Sequence, residues 1–306
     1  MKDFSQHEWG LVLAGGGGKG AYQVGAFKAL WENNIQDYIT AVSGTSVGAL
    51  NAILFAYGDE AAAEDAWRRI TPKQFLDINP DMIDFQEGMV PREGLLEILD
   101  TYIDLEQIRT NEKSIYVTVT EFDENGSGEG TAQYFKLNYM PAEKIKDALL
   151  ASSALPVIYA PVLIDGKLYR DGGLKDNLPI EPLYREGIRH FIVIGLSPER
   201  EIDYGAFPDA EFVFIKPTRS IGDFWNGTLD FTSKGAVSRM ELGYLDAVRE
   251  LDFSDKDMEN EGIKSAYRIT AQSDYDKVVF NYRRNSLQET VDADMDKIKS
   301  LIGKYM

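Results

Sequence analysis

The stretch from Tyr38 to Asn51, Tyr-Ile-Thr-Ala-Val-Ser-Gly-Thr-Ser-Val-Gly-Ala-Leu-Asn, constrains the fold of this chain more than any other. Ile39 to Val42 is a short apolar run with the texture of a buried strand. Val47 to Tyr57 is apolar nearly all round, as a buried helix is. Between them lies Gly44-Thr45-Ser46-Val47-Gly48, which fits G-x-S-x-G. In a strand–turn–helix context that pentapeptide sets its serine on a sharp turn with the hydroxyl exposed above a sheet. Gly44 and Gly48, two positions to either side, let the backbone make the turn. The plainer reading is a glycine-bounded turn whose serine caps the helix.

A second strand–loop–helix unit comes one strand earlier. Gly10 to Ala14 is apolar and ends in Gly15-Gly16-Gly17-Gly18-Lys19-Gly20, after which Ala21, Val24, Phe27, Leu30 and Trp31 recur at helical spacing. Three readings compete for the loop. Gly15, Gly17 and Gly20 satisfy G-x-G-x-x-G, but a dinucleotide site wants an acid at the end of the next strand, and here that strand ends in Ser43-Gly44. A phosphate loop wants Gly-Lys-Ser/Thr, and Lys19 is followed by Gly20. The third reading, ranked first, is an oxyanion hole, in which consecutive glycines aim N–H groups at one spot beside a helix N-terminus.

Further along, Ser114 to Phe122 and Thr131 to Leu137 read as strands, and Pro141 opens a helix that runs into Ala151-Ser152-Ser153-Ala154-Leu155-Pro156. Val162 to Arg170 is a strand pair broken at Asp165-Gly166. It delivers Asp171-Gly172-Gly173 and then Asp176-Asn177-Leu178-Pro179. His190 to Leu196 and Glu211 to Ile215 are further strands, and Val237 to Leu251 is an amphipathic helix. Residues 70–92, with Pro72, Pro80 and Pro91, read as an irregular excursion, either a cap over the site or a surface loop; in 217–232 Phe224, Trp225, Leu229 and Phe231 sit in a polar stretch that either packs onto the core or forms a lid. An acidic linker over 252–261, an edge strand over 278–282 and a terminal helix over 286–302 complete the reading. Alternating buried strands and helices predict an α/β fold, three-layer, with a mostly parallel central sheet and helices on both faces. Residues 8–220 are expected to form the catalytic domain and 221–306 a mainly helical extension packed on it.

A serine nucleophile needs a base. The chain has only two histidines, His7 before the first strand and His190 at the start of another, whereas catalytic loops gather at the carboxyl ends of parallel strands. A carboxylate is therefore the expected base. Asp171 is the candidate: it follows a strand, and Gly172 and Gly173 let its loop lie close to another backbone. Burial would raise its pKa and improve it as a proton acceptor. The plain alternative is a turn acid.

There is no cysteine, which removes disulfides and thiolate chemistry, and no metal or cofactor is called for. The net charge of −18 speaks against nucleic acid as a partner and against an anionic bilayer, so a lipid would be met through a local apolar patch or as a dispersed molecule. No signal peptide or membrane-spanning run is evident, and a cytoplasmic location is expected.

Together the glycine loop, the Ser46 elbow and Asp171-Gly172-Gly173, with the two stretches flanking that aspartate, resemble the patatin-like phospholipase family over about residues 10–220. The resemblance implies a patatin-like fold related to the α/β-hydrolases and a Ser46–Asp171 dyad. It implies oxyanion donors at Gly16, Gly17 and Gly18, with Lys19 adding positive field. It also implies a phospholipase A-type esterase acting on a phospholipid, lysophospholipid or acylglycerol without a metal. Two other classes stand beside it: a nucleotide- or dinucleotide-binding protein using Gly15–Gly20, and a non-catalytic protein on the same fold.

Overall fold

A computed structural model describes residues 3–69, 99–122, 129–156 and 158–252, together with residues 273 and 277. The chain divides into two compact units, Met1–Ser254 and Asp255–Met306. The expected excursion over 70–92, the turn at 124–128 and the elements expected after 252 lie outside the described residues.

The first unit is built on an eight-stranded sheet. Its strands are β1 (Trp9–Leu13), β2 (Ile39–Thr45), β3 (Ser114–Phe122), β4 (Thr131–Lys136), β5 (Val162–Ile164), β6 (Lys167–Asp171), β7 (His190–Ile194) and β8 (Glu211–Ile215). The helices are α1 (Ala21–Glu32), α2 (Val47–Tyr57), α3 (Glu60–Arg69), α4 (Leu105–Arg109), α5 (Ala142–Ser152), α6 (Glu181–Arg185) and α7 (Ser233–Asp252). The parallel half of the sheet runs β3-β2-β1-β7-β8. The other half is antiparallel, with β4 and β6 on β3, and β5 on β6.

The central strands β1, β2 and β7 are buried at nearly every position because both faces are covered. Their side chains alternate between two cores. Leu11, Leu13, Ile192 and Ile194 join the larger one, under α1, α2, α5 and α7. Val12, Phe191 and Val193 join the smaller one, whose cover is the short α6 with Ile188, Ile202 and Phe207. The three layers are present, and the second face carries little helix. In the larger layer α1 and α7 cross in backbone contact: a Cβ added at Gly25 would lie 1.8 Å from the Met240 carbonyl oxygen, and one at Gly243 1.8 Å from that of Tyr22.

The register of β3 positions the site. β4 spans Tyr116 to Glu121 along one edge. On the opposite edge β2 pairs with the first part of β3, ending with Thr45 opposite Thr118, and β6 pairs with the last part, with Asp171 opposite Val119. Since β2 is parallel and β6 antiparallel to β3, the two strands run head to head along one edge. Their ends meet one residue apart, so Ser46 and Asp171 emerge at a single junction. The mostly parallel sheet carries Asp171 on an antiparallel strand.

Candidate active site

Ser46 occupies φ 56°, ψ −124°, a backbone region that a side-chain-bearing residue adopts only under constraint. The constraint comes from three sides. A Cβ added at Gly44 would lie 2.0 Å from the Gly48 carbonyl oxygen, so the turn closes on itself with no room for a larger residue. Ser46 N–H donates to Ser152 Oγ at 2.8 Å, and Ser152 Oγ donates in turn to the Thr118 carbonyl at 2.7 Å. The Ser46 carbonyl accepts from Ala49 N–H at 2.9 Å and so enters α2. Ser46 precedes α2, yet its side chain makes no capping bond, which removes the plainer reading of the motif.

Asp171 is 4% exposed and pinned through its backbone, its N–H donating to Ala154 and its carbonyl accepting from Thr120 Oγ1. Its carboxylate accepts a 2.8 Å bond from Gly173 N–H. Burial pushes the carboxyl up to about 6, against the stabilising pull of the Ser46 hydroxyl and of Gly173. The Ser46 hydroxyl thus faces the carboxylate and favours its ionised form, but the fully formed bond of that carboxylate is to Gly173.

Gly15, Gly16 and Gly17 line the same cavity as Ser46 and Asp171. Gly15 is tied on both sides by one residue, its N–H donating to Asn177 Oδ1 and its carbonyl accepting from Asn177 Nδ2, each at 3.2 Å. Among the described residues the N–H groups of Gly16, Gly17 and Gly18 meet no acceptor; Gly17 and Gly18 open a 3₁₀ turn, whose first N–H groups have none within it. Gly18, Lys19 and Gly20 stand back from the cavity lining. The Lys19 stem packs against Gly227, with Asp223 and Glu199 supplying its counter-charge, and burial lowers its pKa.

The outer faces of this loop are closed. A Cβ at Gly17 would lie 2.1 Å from the Thr228 carbonyl oxygen, and one at Gly18 2.0 Å from that of Asp230. Carbonyl oxygens repel an anion, so these outer faces do not cradle a pyrophosphate. The covering segment, 222–231, includes a one-turn π-helix over Phe224–Thr228 and supplies Thr228, Leu229 and Phe231 to the cavity wall. The stretch 217–232 thus contributes part of the cavity wall.

The cavity has a volume of about 280 Å³. Beyond the polar groups its lining is hydrocarbon, chiefly Val47, Leu50, Leu150, Leu155, Leu229 and Phe231. The histidines lie elsewhere. His7 and His190 stack on each other, ring centres 3.8 Å apart, beside Trp9 at the amino ends of β1 and β7. No imidazole is available to Ser46.

Glycine loop, serine elbow and Asp-Gly-Gly loop therefore meet in one cavity, and the family model of the patatin-like phospholipases matches residues 11–184. The chain belongs to this family. It is 26% identical over 259 residues to neuropathy target esterase sws of Drosophila melanogaster, an alignment covering 79% of this chain and 16% of that protein. It is 27% identical over 237 residues to lysophospholipase NTE1 of Cryptococcus neoformans, covering 70% of this chain and 13% of that one. The chain thus spans less than a fifth of the length of these curated relatives. Among solved structures it is similar to VipD from Legionella pneumophila, with a TM-score of 0.47, 16% identity, and coverage of 95% of this chain and 77% of that one.

Four supports of this patatin-like site escape sequence reasoning. Ser152 and Asn177 stand in stretches that flank Asp171, but their partners, Ser46 and Gly15, are more than a hundred residues away. Asn51 is the one polar side chain of α2 after Ser46, which was a legible signal. It donates to the Gly20 carbonyl at 3.0 Å and to Gln23 Oε1 at 2.7 Å and accepts from Trp67 Nε1, joining the helix after the elbow to the helix after the glycine loop. Arg239, on α7 beyond the matched region, is 4% exposed. Its guanidinium donates to the carbonyls of Gly18, Asn226 and Asp230 and forms an ion pair at 2.7 Å with the Asp230 carboxylate. It clamps the cavity wall to the glycine loop.

Proposed function

We propose that this chain hydrolyses carboxylic ester bonds of lipids, whether phospholipid, lysophospholipid or acylglycerol, with Ser46 as nucleophile and Asp171 as its proton acceptor. The observation that carries the reading is the meeting of Ser46, the buried Asp171 carboxylate and the acceptor-free Gly16 and Gly17 N–H groups at one end of a hydrocarbon-lined cavity. The names of the relatives, an esterase and a lysophospholipase, point the same way.

In this mechanism Ser46 Oγ attacks the acyl carbonyl carbon while its proton passes to Asp171. The negative charge on the former carbonyl oxygen is taken by the N–H groups of Gly16 and Gly17, with Gly18 supporting the loop behind them. Collapse of the tetrahedral species breaks the ester C–O bond, and Asp171 returns the proton to the departing alcohol. Water then attacks the acyl-serine, Asp171 again accepting a proton, and free acid and Ser46 are regenerated. A carboxylate with a pKa near 6 is a better proton acceptor than an ordinary aspartate and stays ionised at neutral pH.

An alkyl fluorophosphonate tests the reading directly. The native chain is expected to be labelled at one residue, with labelling abolished in Ser46→Ala and slowed at least ~10²-fold in Asp171→Asn. Full labelling of Ser46→Ala would refute the assignment.

A further inference from the structure

Arg200 lines the cavity, on the segment that follows β7, but no step of the proposed mechanism uses it. The carboxylates around it are engaged elsewhere. Glu199 accepts from Ser197 Oγ at 2.5 Å, and Glu201 pairs with Lys216 at 2.7 Å. Asp176 accepts from Tyr134 Oη at 2.8 Å and from Leu178 N–H at 3.1 Å. Arg200 feels Asp176 only through space, its charge favouring the ionised carboxylate. Among the described residues no carboxylate forms an ion pair with the Arg200 guanidinium. Its backbone, by contrast, is held: the Arg200 N–H donates to the Ser197 carbonyl, and its own carbonyl accepts from Lys216 Nζ at 3.0 Å.

Arg200 is exposed, so its guanidinium is solvated at the cavity, whereas Arg185, Arg189 and Arg239 are paired with carboxylates. A guanidinium is a planar fork of donors suited to phosphate. The cavity is also chemically divided. Val47 and Leu50 of α2, Leu150 of α5, and Leu229 and Phe231 of the covering wall supply hydrocarbon, while Arg200 supplies cationic charge. Ser46 belongs to the same cavity, so an ester there can set its acyl chain among the leucines and its alcohol part toward Arg200.

We propose that Arg200 forms an anion subsite for the alcohol part of the substrate, selecting acyl esters whose leaving group carries a phosphate over neutral acylglycerols. The inference rests on the ester-hydrolase reading above and sharpens its substrate class.

The test compares 1-acylglycerol 3-phosphate with the 1-acylglycerol of the same chain length, both below their micellar concentrations, on the native chain and on Arg200→Gln and Arg200→Lys. The native chain is expected to prefer the phosphate ester in kcat/KM. Arg200→Gln is expected to reduce that preference about tenfold, through KM rather than kcat, with Arg200→Lys in between. Glycerol 3-phosphate should inhibit the native chain competitively and Arg200→Gln about tenfold more weakly, and inorganic phosphate should be the poorer inhibitor. An unchanged preference in Arg200→Gln overturns the subsite, as does equal inhibition by inorganic phosphate in both proteins. Calorimetric titration of glycerol 3-phosphate into the native chain and Arg200→Gln separates the two readings. If neither ester is hydrolysed while binding still depends on Arg200, the hydrolase reading fails and the anion site stands; if hydrolysis proceeds and binding is indifferent to Arg200, the reverse holds.

Discussion

Replacing Asp171 by Asn should make the first unit more stable at neutral pH while removing its proton acceptor. The sign follows from burial. The folded-state pKa is raised from 3.8 to about 6, so the folded chain holds a proton that the unfolded chain has already released between those two pH values. Stability contributed by the protonated group is present below about 3.8 and is lost as pH rises toward 6. At 1.36 kcal/mol for each decade of the dissociation constant, the ionised carboxylate costs the fold about 3 kcal/mol at pH 8. An asparagine carries no charge to desolvate, and its Oδ1 still accepts from Gly173 N–H. Its amide faces the Ser46 hydroxyl in place of the second carboxylate oxygen. The expected gain at pH 8 is about 2–3 kcal/mol, shrinking to nothing near pH 4. Urea unfolding followed by tryptophan fluorescence is the assay, since Trp9, Trp31, Trp67 and Trp225 all belong to the first unit. Asp246, buried against Tyr22 and also raised to about 6, adds the same slope to both proteins and cancels in the difference. A variant no more stable than the native chain at pH 8, or a difference that does not vary between pH 4 and 7, would refute the argument.

The strain at Ser46 predicts that Ser46→Gly is more stable than Ser46→Ala by about 1 kcal/mol, read from urea midpoints, because only glycine adopts positive φ at no cost. Arg239→Met leaves the Asp230 carboxylate and the backbone carbonyls around it without their buried donor. Counting the Ile221 carbonyl, which accepts from Nε, four backbone carbonyls lose a donor; the change should cost about 3–5 kcal/mol in a thermal melt and slow fluorophosphonate labelling at temperatures where the variant is still folded, with Arg239→Lys in between. The rate of ester hydrolysis should rise through a single ionisation near pH 6, as Asp171 becomes able to accept a proton, and stay level above it.

The elements were legible because they rest on local signals, and the candidate pair, Ser46 and Asp171, was picked out by signals of the same kind. The apolar runs at β1 and β7, the all-round apolar α2, the turn at Asp165-Gly166 and the G-x-S-x-G pentapeptide are each decided by neighbours within a few residues. Scarcity helped as well. With two histidines in the chain, excluding them required only their places relative to the strands, and the stack of His7 on His190 at the far end of the sheet agrees. Where the local signal was thin, the reading missed. The short helices α4 and α6, five residues each, carry too little period to be seen.

What the tertiary structure alone decided is how the two halves of the site meet. Nothing near Asp171 in sequence says that its strand runs antiparallel on the edge of β3 that β2 has just left, with Asp171 opposite Val119 and Thr45 opposite Thr118. Strand pairing is a long-range choice, set by which faces bury hydrocarbon across the whole sheet. The same holds for Ser152 beneath the elbow, Asn177 on both sides of Gly15, and Arg239 behind Gly18. These side chains serve because a buried backbone donor or acceptor must find a partner, and which partner is within reach is known only once the chain has folded. The Ser46 elbow itself was determined by the sequence as a turn with a serine on it. Folding decided that the hydroxyl faces a carboxylate in the wall of a hydrocarbon-lined cavity instead of capping its own helix.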